Sequence, residues 1–438
     1  MRRAAIVGTV VLGLLLIVNA ALAAEVILIR NGTIVPVTGP IIEGGSLLIE
    51  DGKIARIGKN IQAPANAKVI DASGKYVYPG LVAVMTSVGV TGYPGNGSDT
   101  DEVGVSTPHM DPYDAINPED DCIEVTRVGG VTTVQTVSGS RSVLNGKSVV
   151  LHLGGDLAED LVCKRYAAQI INVAAREQGK YPSTIPGVIA LLRDKFNQTR
   201  DYAEKKSKQT KTAGDNGQDE KGEGKGAAPF KRNLELEALI PVLSGKVPVI
   251  FITSDEVTVR KAIELIKEYK LNGVIRAQAG IFKYLGRLAQ EEIPVIWAGT
   301  TGLPQRWEEY DKNYHTAAAL AAHGVMFAFD SGGRGPGNRN VRNLPVPAAI
   351  SVAHGLSEEE AIKAMTINPA RILGIDDMVG SLEVGKVANV VVWTGSPIQL
   401  RSRVDTVIIK GEIVPMTSLQ TRLYDKFSKL VKERMQKK

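Results

Sequence analysis

The chain has 438 residues, 44% of them hydrophobic and 23% charged. That excludes a disordered polymer and leaves ample apolar surface for at least one large core. The formal charge is +5, but Arg2 and Arg3 lie in an N-terminal leader and residues 204–232 hold 8 Lys/Arg against 5 Asp/Glu, so the rest is near neutral and gives no case for a nucleic-acid partner.

Residues 1–23 read MRRAAIVGTVVLGLLLIVNAALA. A charged start, an apolar run from Ala4 to Val18 and the small-residue exit Ala21-Leu22-Ala23 are the three parts of a secretory signal. The run is short for a bilayer span, which disfavours an uncleaved anchor. The expectation is a cleaved signal peptide, an exported bacterial protein in the periplasm, and no integral membrane span afterwards. Cys122 and Cys163 are the only cysteines. Export permits a disulfide between them; two buried free thiols in helical-looking stretches fit as well. Two cysteines alone make no zinc site.

After the leader, EVILIRNGTIVPVTG and the segment following it alternate apolar and polar residues. Asn31-Gly32 and Asp51-Gly52 interrupt the runs as hairpin turns would. Near the other end, GSLEVGKVANVVVW and VDTVIIKGEIV repeat the style, with Lys410-Gly411 at a turn. Residues 24–78 and 379–416 are therefore expected to form one composite β-sandwich domain.

Between them, eight short β-branched runs fall at 81–88, 130–137, 148–153, 168–174, 247–253, 272–277, 293–298 and 325–330. Helical stretches separate several of them, such as the one carrying Ile263, Ile266 and Leu271. The count and length predict an α/β fold, a (β/α)8 TIM-like barrel over 79–378. The 168–174 run also reads as a helix tail, and a doubly wound open sheet is the alternative architecture. Residues 204–232 are nearly free of apolar side chains and are expected to be a disordered insertion. Residues 417–438 predict a basic amphipathic helix with Leu423, Phe427, Leu430 and Val431 on one face; docking on the protein body is the expectation, membrane-surface attachment the alternative.

Asp71-Ala72-Ser73-Gly74-Lys75 followed by Tyr78-Pro79-Gly80-Leu81 resembles the entry into the first barrel strand of amidohydrolases. The tail agrees, in Thr366-Ile367-Asn368-Pro369-Ala370 and in Gly380-Ser381-Leu382-Glu383-Val384-Gly385-Lys386-Val387-Ala388-Asn389. The pattern is similar to the imidazolonepropionase-like branch of that superfamily. The resemblance implies hydrolysis of amide or other C–N bonds with one or two divalent metals such as zinc. A metal lowers the pKa of bound water and polarises the scissile carbonyl. The family supplies His-x-His on strand one, histidines after strands five and six, and an Asp after strand eight.

Set on this sequence, those ligand positions fall on Met85, Ser87, Thr253, Ala277 and Gly332, with Asp330 displaced by two places from the last of them. Thioethers and neutral hydroxyls are poor ligands for a divalent ion. None of the five histidines forms a His-x-His or His-x3-His spacing. The expectation is a missing metal-ligand set and no bound cofactor. Asp330, ending strand eight, and His152, closing strand three, are the candidate catalytic residues; Asp330 also reads as a turn cap and His152 as a satisfied buried histidine. His109 and Thr253 are weak candidates for the substrate pocket. The functional expectation is an exported hydrolase of C–N bonds in non-peptide or cyclic amides, acting on a small molecule, with metal-dependent turnover doubtful. The alternative is a non-catalytic small-molecule binder or scaffold, in a homo-oligomer or partnering an active amidohydrolase paralogue.

Overall fold

The computed structural model describes residues 25–91, 99–100, 104–176, 179–215, 231–303, 308–332 and 335–436. The expected signal peptide and the 216–230 part of the expected insertion lie outside them.

The chain opens with β1 (Ile27–Ile34), β2 (Ile42–Glu50), β3 (Lys53–Gly58), β4 (Lys68–Asp71) and β5 (Tyr76–Pro79). Asp51 and Gly52 turn β2 back onto β3 with φ of 52° and 73°, the left-handed pair that a two-residue hairpin demands. Asn31 also has a left-handed φ, of 63°, but lies inside β1, where the pairing with β2 shifts register. The expected turn there is a bulge.

The barrel strands follow: β6 (Leu81–Thr86), β7 (Val131–Val137), β8 (Leu144–His152), β9 (Val162–Asn172), β10 (Val249–Thr253), β11 (Gly273–Ala277), β12 (Val295–Trp297) and β13 (Phe327–Phe329). Every expected run contributes to a strand, and 168–172 pairs with β8 and β10 rather than ending a helix. Neighbours in the sheet are neighbours in sequence, and a bridge between Val84 and Asp330 joins its two edges. The barrel is therefore closed. It departs from an all-parallel barrel at β8, which runs antiparallel to both β7 and β9.

The helices are α1 (Asp121–Arg127), α2 (Ala158–Leu161), α3 (Ile185–Asp215), α4 (Leu234–Leu243), α5 (Glu256–Tyr269), α6 (Leu285–Gln290), α7 (Lys312–Ala322), α8 (Pro345–Ala353), α9 (Glu358–Lys363), α10 (Ile367–Leu373) and α11 (Leu419–Gln436). β14 (Val390–Trp393), β15 (Val404–Ile409) and β16 (Glu412–Ile413) return to the first sheet. There β14 pairs antiparallel with β5, giving the order β16-β15-β14-β5-β1-β2-β3 with β4 beside β1. One mixed sheet is thus built from both ends of the chain.

Period two sorts the barrel side chains into two layers. Val82, Val84, Val137, Val150, Ile170, Ile250, Ile252, Val274, Ile296 and Ala328 fill the interior, with Ala370, Ile372 and Leu373 of α10 packed against them. Phe251, Ile275, Trp297 and Phe329 face outward, into a layer that includes Val259, Ile263 and Ile266 of α5. Asp255 starts α5 by capping the Thr258 N–H at 2.9 Å.

Two further expectations change, and the question left open for the cysteines is decided. The stretch around Cys163 is strand, not helix: after the single turn α2, β-branched and aromatic residues of β9 pair with β8. Cys122 and Cys163 are free thiols, the first buried. Residues 204–215 continue α3 instead of being disordered; Glu204 pairs with Lys208 one turn on, and Lys206 reaches Glu237 of α4 at 2.7 Å.

Ile296→Ala empties a fully buried interior position and should lower stability by about 2–5 kcal/mol, read as a fall in the urea midpoint. Val257→Ala, on the exposed side of α5, should stay within about 0.5 kcal/mol of the parent.

Candidate active site at the barrel mouth

Two charged residues continue the apolar interior rows. Arg276 follows Val274 on β11 and Asp330 follows Ala328 beyond β13, both with the parity that points inward. The Arg276 Nε–H donates to Asp330 Oδ2, and their side chains are 7% and 0% exposed. Asp330 Oδ1 accepts the Gly332 N–H at 2.7 Å. A buried charge persists only when paired and hydrogen-bonded, so the carboxylate is held charged and fixed at the ends of the strands. It also caps the turn at Gly332, as its turn-cap reading expects. Arg276 was missed in the sequence, although a lone arginine in the buried run Gly273-Val274-Ile275-Arg276-Ala277 requires an acidic partner. Ala277 and Thr253, chosen from the family pattern, have outward parity; the Thr253 hydroxyl donates to the Arg276 carbonyl at 3.2 Å.

Strand one brings the next group. Met85 is buried with a φ of 57°, a left-handed conformation that costs a non-glycine residue about 1–3 kcal/mol. Its N–H donates to Gln135 Oε1 at 3.1 Å. The distortion breaks the register between Ala83 and Thr86 and leaves both Val84 and Met85 against the interior. Beyond it, the Ser87 and Thr91 hydroxyls are 2.9 Å apart, and the Ser87 N–H donates to Asn338 Oδ1 at 3.3 Å. Gly332, the last of the family positions, is left-handed with φ 66°.

The expectation of a missing metal-ligand set and no cofactor is corrected here. Asp120, Asp121 and Cys122, all buried, bring one ligand atom each to within 4.8 Å of one another. Two carboxylate oxygens and a sulfur are donor types that suit a divalent ion such as zinc. The donors are the N-cap and the first two residues of α1, not strand residues, and they are tied to Gly89 and Thr91 of the segment leaving β6. Asp120 Oδ2 accepts the Gly89 N–H at 2.7 Å and its Oδ1 the Cys122 N–H at 2.8 Å. Asp121 pairs with Arg339 at 3.1 Å, and Cys122 Sγ lies 3.5 Å from the Thr91 carbonyl. Burial pushes the Asp120 carboxyl up from its ordinary range, and burial together with the Asp120 charge pushes the Cys122 thiol up. A cation held here would favour the ionised donors instead. Three consecutive residues carry no ligand-spacing signature; only the turn capped by Asp120 folds them onto one point.

His152 is placed elsewhere. Because β8 runs backwards, its last residue lies opposite Thr133 near the start of β7, at the end of the barrel away from Asp330. The Asn389 amide donates to His152 Nδ1 at 3.0 Å and to Thr133 Oγ1 at 3.1 Å, while the Asn389 carbonyl accepts from Gly80 just ahead of β6. Burial, then the Lys410 charge, lowers the imidazole pKa to about 4. The structure therefore does not bring His152 and Asp330 together. His109 lies in the loop leading to Met110, whose carbonyl accepts the Lys147 N–H, and its buried Nδ1 has no partner.

A cleft of about 660 Å³ opens at the strand ends, lined by Asp255, Glu256, Gly280, Phe282, Glu308 and Lys312 among others. A second of equal volume, touching Val325, Met326 and Asn368, lies where β13 begins, at the wrong end for Asp330.

Residues 248–414 match the model of the Amidohydrolase family. An amidohydrolase from Thermotoga maritima MSB8 superposes with a TM-score of 0.76 at 28% identity, over 89% of this chain and 99% of that one. The chain has the amidohydrolase-superfamily fold. Its resemblance to hydrolases of C–N bonds, expected from the paired end motifs, is borne out. Among curated proteins, Amidohydrolase tasK of Hapsidospora irregularis is 26% identical over 386 residues, 81% of this chain and 38% of its own length. A D-hydantoinase of Geobacillus stearothermophilus is 57% identical over 53 residues, 12% of this chain and 11% of its own. The chain thus spans well under half the length of either curated relative.

Two outcomes follow. After zinc loading and dialysis, elemental analysis should find about one ion per chain, and Asp121→Asn or Cys122→Ser should lose most of it; full retention in both variants would sink the cluster as the site. Separately, an unfolded histidine titrates near 6.5 but folded His152 near 4. As pH falls through that window the unfolded chain binds a proton the folded chain refuses, so stability drops. Urea midpoints should fall more steeply between pH 6.5 and 4 in the parent than in His152→Gln.

Proposed function

We propose that this chain hydrolyses a C–N bond in a small non-peptide or cyclic amide at the strand-end face of its barrel. The observation that carries the reading is the buried Asp120, Asp121 and Cys122 cluster, its donor atoms within 4.8 Å of one another just past strand one, on a barrel of amidohydrolase fold. The D-hydantoinase match supports the cyclic-amide choice, and the motifs around Asn368-Pro369 and Ala388-Asn389 support a position near the imidazolonepropionase-like branch. The leader sequence supports export to the periplasm.

A divalent ion held by Asp120, Asp121 and Cys122 would lower the pKa of a bound water and polarise the substrate carbonyl. The chain's own groups do the rest. Asp330, fixed by Arg276 and Gly332, accepts a proton from the attacking water as general base. The same group returns it to the departing amine. Thr300 and Ser331, in the loops leaving β12 and β13, carry buried hydroxyls without a partner. They can hydrogen-bond the substrate amide and orient it. Burial of Arg276 keeps water from screening the pair, so the charge at Asp330 acts at low dielectric.

The test is amine release from a panel of cyclic amides and N-acyl amino acids by the zinc-loaded chain. Asp330→Asn should lower kcat by roughly 10²–10⁴-fold with metal content unchanged. No turnover on any panel member by a fully metal-loaded, folded chain would overturn the reading.

A further inference from the structure

The C-terminal helix α11, expected to dock on the barrel, buries none of its residues. Its visible tie to the body is at its start, where Arg422 pairs with Glu124 of α1 at 2.9 Å. Leu423, Tyr424, Phe427, Leu430, Val431 and Met435 are all at least 41% exposed. At 100° per residue these six fall within an arc of roughly 140°. Arg422, Lys426, Lys429 and Lys432 project from the opposite arc, where Asp425 and Glu433 are the only acids, while Arg434 in the last turn falls within the apolar arc.

We propose that α11 lies flat on an anionic lipid surface, with its apolar arc in the acyl boundary and its lysines at the headgroups. Three features choose this occupant. The apolar arc is wide and carries aromatic residues, whereas a coiled-coil partner needs only a narrow seam. The helix holds five Lys/Arg against two Asp/Glu, complementary to acidic headgroups and self-repelling against a second copy of itself. Finally, among the described residues no helix is long and apolar enough to cross a membrane, so attachment at this end is peripheral. Leu and Phe supply the apolar energy, and the basic residues supply selectivity for negative surfaces. The inference is independent of the chemistry proposed for the barrel.

The experiment is cosedimentation of the chain beginning at Ala24, which removes the apolar leader, with vesicles of phosphatidylcholine alone or mixed with phosphatidylglycerol. The chain should partition onto the mixed vesicles and be released by raised salt. Phe427→Glu, and separately Lys429→Glu with Lys432→Glu, should each weaken partition roughly tenfold while the thermal midpoint stays put. Equal partition onto both vesicle types, or unchanged partition in both variants, overturns the proposal. So does failure to bind vesicles together with a dimer in light scattering that Phe427→Glu dissolves.

Discussion

The ion pair between Arg276 and Asp330 is the interaction around which the mouth of this barrel is organised. A closed sheet asks each inward-facing residue to suit the other strands, and here α10 as well, as neighbours. Through most of the interior that demand is met by Val, Ile and Ala. At the last inward position of β11 and just beyond β13 it is met by two opposite charges instead. Neither is tolerable without the other, because a lone charge at that depth would go uncompensated. The pair fixes the loop after β13 through Gly332, and Asp330 also bridges to Val84, so the same residue closes the barrel and lines its mouth.

Strand one shows the second departure from plain packing. Its regular alternation ends at Met85, whose left-handed backbone leaves it against the interior and sends the chain toward Ser87 and Gly89. Gly89 then donates to Asp120, and Thr91 meets both Cys122 and Asn338. The donor cluster is thus held to strand one by backbone hydrogen bonds rather than carried on it. Strain at Met85, buried carboxylates at Asp120 and Asp121, and orphaned hydroxyls at Thr300 and Ser331 are all found on the strand-end side. The strand-start side holds the network of His152, Asn389 and Thr133, with the Trp393 indole N–H close by and without a partner.

How much of this was legible in sequence depends on the range of the interaction. Hairpin turns at Asp51-Gly52 and Lys410-Gly411 are local, and each was readable from two to four neighbouring residues. The eight barrel strands were readable because burial on both faces enforces β-branched runs. The direction of β8 was not, since an apolar run carries no arrow; that hairpin moved His152 to the far end of the barrel. The donor cluster was hidden for a related reason. Family ligand spacing assumes that ligands project from strand ends, and Asp120, Asp121 and Cys122 instead meet across one capped turn.

By itself the sequence determined the layered architecture, the joining of both chain ends into one sheet and the relation to amidohydrolases. Those follow from periodicity and from motifs a few residues long. Only the tertiary structure decided which charged residues meet. Arg276 and Asp330 are 54 positions apart, and whether they form a pair rests on strand parity and barrel closure. Neither property exists until the sheet has curled round on itself.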